Sequence, residues 1–193
     1  MTKDTPDVIP ESWRISRIMR TMLPLLAVLS LMELFSGTVL QGFQETYVKE
    51  PVLLVLVPVV ISTAGDLGSM LSSRLSTALH LGTMKLEPHD TKMWGEVVGS
   101  MFLAFSGFVF LGVAAWGIGF FLNSTLSLTQ ILAVTVTSGV ILGVVVVIVS
   151  LTATYLSYVF GYDPDDTVIP VVTNVCDVSG IVILTSVIIL LLH

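Results

Sequence analysis

PVLLVLVPVVISTAGDLGSMLSSR, residues 51–74, is the stretch that decides the fold. It is apolar from Pro51 until Arg74 brings a charge, apart from one carboxylate, Asp66, near the middle. About 20 apolar residues rising ~1.5 Å each match a hydrocarbon core of roughly 30 Å, so the run reads as a membrane-spanning helix. A carboxylate at that depth costs about 2.5–3.5 kcal/mol on insertion scales, so it must face protein, water or a cation. Gly65 and Gly68, with the small residues Ser62, Thr63, Ala64 and Ser69, predict close approach of a helix or ligand, or a local break.

The rest of the chain fits that reading. Of 193 residues, 54% are hydrophobic and only 11% charged, against about 25% charged in soluble domains. Mean hydropathy is +0.96. The formal charge of −6 argues against nucleic acid and anionic lipid as main partners. A single cysteine, Cys176, excludes an internal disulfide and a cysteine-based metal cluster.

The expected fold is an all-α integral membrane protein with five spans. They run over about 21–44, 51–79, 93–122, 128–160 and 167–192. Residues 1–20 form an N-terminal cytoplasmic or interfacial segment and 21–192 the membrane domain. Residues 1–11 read as disordered, and 12–20 as an arginine-bearing anchor that could lie on the membrane surface. Met1–Arg20 has no apolar core and is not a signal peptide. Pro24 is expected in the opening turn of the first span, where a missing N–H does no harm. Gly95/Gly99 and Gly139/Gly143 have the spacing of close helix packing. With five spans, Lys3, Arg14, Arg17, Arg20, Arg74, Lys85 and Lys92 fall on one side and only Lys49 on the other. The N-terminus is therefore expected in the cytoplasm and the C-terminus outside, in the cell membrane. Copies that pair should be parallel.

Three carboxylates lie well inside spans, Glu33, Asp66 and Asp177, and Glu96 lies near the start of another. No Lys or Arg sits mid-span, so each acid must be protonated or meet a passing cation. The neighbouring donors are oxygens: Ser62, Thr63, Thr173 and Asn174. Such a set suits Mg²⁺, Ca²⁺ or Mn²⁺ rather than Zn²⁺ or Cu⁺, and an ion that keeps its waters fits Mg²⁺ best. Thr173 and Asp177 are four apart and share a helix face that would line the path. Cys176 is next to Asp177, but adjacent helical side chains point about 100° apart, so it need not share the site.

Pro58…Gly65-Asp66…Ser73-Arg74-Leu75-Ser76-Thr77…Gly82, followed by Asp163-Pro164-Asp165-Asp166…Ile169-Pro170…Thr173…Asp177…Gly180, resembles the membrane domain of MgtE-type magnesium transporters. It is most similar to one unit of their eukaryotic solute-carrier relatives, which fuse two. The resemblance implies a five-helix unit working as a homodimer, with Mg²⁺ passing at the pseudo-two-fold interface. It implies that Asp177 is the pore aspartate and that the backbone at Thr173 contributes. The family usually has Gly-Asn where this chain has Gly65-Asp66, so Asp66 adds a charge near the path. Glu96 matches a glutamate at the start of the third helix, towards the cytoplasmic mouth, and Glu33 matches no family residue. Roughly twenty residues precede the first span, too few for the family's bacterial sensor domains, since a folded domain needs about 50.

Among rival readings, exchange of Mg²⁺ against Na⁺ or H⁺ stays within transport, with Asp66 as the coupling group. An intramembrane aspartyl protease is disfavoured. Tyr162-Asp163 and Gly65-Asp66 stand in reversed order, and two catalytic aspartates must meet at one depth. A membrane scaffold subunit leaves three unpaired mid-membrane acids unexplained.

Overall fold

The computed structural model describes residues 15–85, 87, 89–161 and 164–192. The chain forms α1 (Ile15–Gly42), α2 (Gln44–Lys49), α3 (Pro51–His80), α4 (Thr91–Phe121), α5 (Leu128–Phe160) and α6 (Pro164–Leu192), and the described residues contain no strand. Among the described residues, five helices are long and apolar enough to cross a membrane, over Met22–Gly42, Pro51–His80, Thr91–Phe121, Leu128–Phe160 and Thr167–Leu192.

Local chemistry sets the ends. Pro51 opens α3, where its missing N–H is no loss. Asp90 caps α4, accepting from the backbone N–H of Lys92 at 2.8 Å and of Lys85 at 2.7 Å. These bonds hold its carboxyl below the usual carboxylate range. Ser127 and Gln130 make a reciprocal capping box on α5. Gly161, at φ +67°, ends that helix in the left-handed region.

Three expectations change. First, the helix that carries the first span begins at Ile15, ahead of the span itself, so Pro24 lies inside a longer helix and not in its opening turn. Arginine is a good helix former, and the helix extends through Arg17 and Arg20 ahead of the span that begins at Met22. Ser12–Arg14 and the preceding residues lie outside the described ones, as do Tyr162 and Asp163 of the acidic loop. Second, α3 passes through Gly65 and Gly68 unbroken. Third, a short helix, α2, joins the first two spans.

The core is a layer of α3, α5 and α6. Val52, Leu56, Val60 and Ala64 of α3 meet Val134, Leu142 and Val146 of α5 and Val172, Leu184 and Ile188 of α6. Phe108 of α4 closes against Gly139, where a β-carbon would collide with its ring, and Gly143 brings α5 close to Ala104. Gly95 and Gly99 face open space, so only one of the two glycine pairs packs within the chain. On the side where α2 meets α3, Glu50 clamps the α4–α5 turn. It accepts from Ser124 Oγ at 2.8 Å, from Thr125 N–H at 3.2 Å and from Thr125 Oγ1. Tyr47 ties α2 to α6 through Thr185, 2.6 Å away. Burial pushes the Tyr47 phenol up, and the Thr185 bond only partly offsets that.

Candidate functional site

Two helices build the site, and glycine sets their separation. On α3 the residues Pro58, Ile61, Ser62, Gly65, Asp66 and Ser69 recur at helical spacing and form one wall. On α6, Ile169, Thr173 and Asp177 form the other. The groove between them has a volume of about 480 Å³. A β-carbon on Gly65 would stand 3.1 Å from Thr173 Cγ2 and 3.7 Å from Asp177 Oδ1. The bare backbone of Gly65 is therefore what lets the Thr173–Asp177 face lie against α3. One turn on, Gly68 leaves room for Val172 and Cys176. Ser150 of α5 donates to the Gly68 carbonyl at 3.3 Å and fixes this crossing from behind.

Asp177 is partly buried and Asp66 is exposed at the groove. No Lys or Arg is among the described residues that line the groove. Thr173 Oγ1 donates to the Ile169 carbonyl at 2.9 Å, which fixes its rotamer and leaves its oxygen able to accept. Ser69 Oγ donates to the Asp66 carbonyl at 3.0 Å. The reactive set is thus two carboxylates, hydroxyl oxygens and backbone, with no nitrogen or sulfur. It can attract and partly desolvate a hard cation but cannot cage one, since among the described residues no three His, Cys, Asp or Glu side chains cluster closely enough to hold a metal.

Of the other residues singled out in the sequence, Gly65 and Ser62 line the groove, while Thr63 does not. Its hydroxyl donates to the Val59 carbonyl at 2.7 Å. Asn174 turns away from the groove and is buried against α1. Its Nδ2 donates to the Leu29 carbonyl at 3.1 Å and to Glu33 Oε1 at 2.8 Å. Glu33 itself is exposed on α1 and reaches α6 through this bond. Cys176 is buried against Gly68, off the groove. Glu96 is elsewhere: its carboxylate pairs with Arg74, Oε2 to Nε at 2.6 Å and Oε1 to Nη2 at 2.9 Å. That pair lines a separate shallow pocket with Ser73, Thr77 and Thr83. The sequence reading gave Glu96 no cationic partner; the signal that could have found one is that Arg74 and Glu96 lie at similar distances from the turn between α3 and α4.

The family model for the MgtE divalent cation transporter matches residues 57–187, more than half of the chain and all of the groove. No curated protein matches it.

Proposed function

Since the chain belongs to the MgtE family of divalent cation transporters, we propose that it carries Mg²⁺ through the α3–α6 groove. The family is one of transporters, not enzymes, which removes the protease reading. The observation that carries the proposal is the placing of Asp177 over Gly65, in one groove with Asp66 and with no basic side chain among the lining residues. Two carboxylates balance one divalent charge, and oxygen donors with room for water suit Mg²⁺, with Mn²⁺ or Ca²⁺ as competitors.

The working unit we infer is a parallel homodimer of the 21–192 domain in the cell membrane, N-terminus in the cytoplasm. One copy supplies only part of an ion's shell. A two-fold pairing that set two grooves face to face would bring four carboxylates to one path. Lysine and arginine bias supports the orientation. Arg74 and Glu96 would stand at the cytoplasmic mouth, beside the path rather than in it.

Flux in proteoliposomes tests this. Mg²⁺ should enter only where protein is present, in dimer-sized particles, and should be lost in Asp177→Asn. Full-rate transport by a monomer would exclude the dimer, and unchanged flux in the variant would exclude the groove. Repeating the assay with imposed Na⁺ and pH gradients separates channel-like flow from exchange. The exposed Asp66 supports exchange as a second reading, because an extra ionisable group beside the path can carry a coupling ion.

A further inference from the structure

A row of polar side chains on α3 joins the groove to the Arg74–Glu96 pair, and we propose that Arg74 sets the rate at which cations cross the cytoplasmic mouth, with Glu96 offsetting its charge. Ser62, Asp66 and Ser69 line the groove, and Ser73 and Thr77 line the shallow pocket that holds the pair. Each member follows the last by three or four residues, so all are neighbours along one helical ridge. Such a ridge inclines to the helix axis. The row therefore leaves the groove wall at Ser69 and winds round α3 towards α4. Ser62, Asp66 and Thr77 are exposed, and Ser69 and Ser73 are half-buried. Polar groups this accessible on a spanning helix are costly against hydrocarbon, so they face water or protein. With the groove as the cation path, a reading on which this rests, the row carries that path to the cytoplasmic end.

The pair at that end is well defined. Nε and Nη2 of Arg74 meet Oε2 and Oε1 of Glu96 at 2.6 and 2.9 Å, a two-point contact. They stand in a pocket of about 360 Å³ and are the charged groups among its described lining residues. Nearby charges of the α3–α4 turn are engaged elsewhere. Lys92 Nζ donates to the Thr83 carbonyl at 2.8 Å, and the Asp90 oxygens accept from the backbone N–H groups of Lys85 and Lys92. The Arg74 side chain is 60% exposed and that of Glu96 only 25%, so the positive member presents itself to an approaching ion.

The sign of the effect follows from Coulomb's law. A guanidinium is charged at every working pH, so it repels a cation at all times. Paired with Glu96 it forms a near-neutral couple that a divalent ion can pass. Without Arg74, Glu96 becomes a bare carboxylate that draws cations to the mouth. Without Glu96, the guanidinium stands alone and turns them away. Because the pair is exposed, water and salt screen it, so it tunes the rate without closing the path. For the same reason it adds little to folding, and variants at either position should fold.

The test changes the charge at position 74 after the protein has folded. Cys176 is the chain's single cysteine and is buried, so in Arg74→Cys the new thiol is the one a water-borne reagent reaches. Mg²⁺ flux is measured in proteoliposomes of the full chain at low ionic strength. Arg74→Cys should raise flux by roughly threefold. A positively charged methanethiosulfonate should return it towards the unaltered rate, a neutral one should leave it, and a negatively charged one should raise it further. Glu96→Gln should slow flux by a similar factor. All these differences should shrink in choline chloride at about 1 M, where the Debye length is about 3 Å. A merely structural pair would not follow the sign of the reagent or the salt. Equal flux after all three reagents, beside flux lost in Asp177→Asn, would overturn the role of Arg74 and leave the groove standing. Flux that follows the sign of the reagent yet survives Asp177→Asn would reject the groove and keep Arg74 at the mouth.

Discussion

Asp177 lies directly over Gly65, its Oδ1 3.7 Å from the point where a side-chain carbon on Gly65 would be. The carboxylate of α6 therefore owes its place to a missing side chain on α3. Gly65→Ala would put a methyl 3.1 Å from Thr173 Cγ2, and the Ile169 bond holds that threonine in place. The helices must separate slightly, at about 1–3 kcal/mol of overpacking. Mg²⁺ affinity should drop by roughly tenfold as Asp177 moves off its partner wall. Gly143→Ala is the control. Its methyl would stand 3.2 Å from Ala104, equally tight but between α4 and α5. It should lose similar stability and keep Mg²⁺ binding, as calorimetric titration of both variants would show.

Asp66 shares the groove with Asp177 but is exposed on the α3 wall. Asp66→Asn keeps the size and the oxygen and removes one charge. Mg²⁺ should still bind, more weakly, and the dependence of flux on pH or Na⁺ gradients should change. Identical flux under every gradient would make Asp66 structural.

Much of this was legible in the sequence because the signals were local. Apolar run lengths gave the five spans, and Thr173–Asp177 spacing gave one wall of the groove. Gly65 and Gly68 announced a close approach but not its partner. A glycine marks that backbone comes near, while which helix arrives depends on packing order. Asn174 looked like a path residue because it adjoins Thr173. On a helix, consecutive side chains diverge by about 100°, and that rotation turns it towards α1. Glu33 had no visible partner because its donor is 141 positions away. The Glu50 clamp joins residues 74 and 75 positions apart, beyond any periodic pattern.

That clamp gives a pH prediction. Burial alone would raise the Glu50 carboxyl, but bonds from Thr125 and Ser124 outweigh it and hold the group below its ordinary 4.5. A carboxyl lowered by folding stabilises the fold above that ordinary value, and the stabilisation is lost as pH falls through the lower, folded value. Melting temperature measured from pH 7 downward should therefore fall more steeply below about 4.5 for the unaltered protein than for Glu50→Gln. Parallel curves would show that the clamp adds no stability.

Asp177 is the residue transport should least tolerate losing. It faces the groove with Thr173 one turn away, and no basic side chain is among the described lining residues. In a paired arrangement two copies would face one path, and their mutual repulsion would favour a divalent ion over an empty site. Asp177→Asn preserves shape, so the contact over Gly65 survives while the charge does not. Mg²⁺ flux should fall by roughly a hundredfold or more, the scale of about 3 kcal/mol. Removing an uncompensated charge should leave melting temperature equal or higher. Flux and unfolding read on one sample separate the outcomes. Lost flux in an intact fold places Asp177 in the path, and normal flux removes it. A collapsed fold would show that the carboxylate holds α6 against α3, and Asp177→Glu, which keeps the charge on a longer stem, would then have to restore folding.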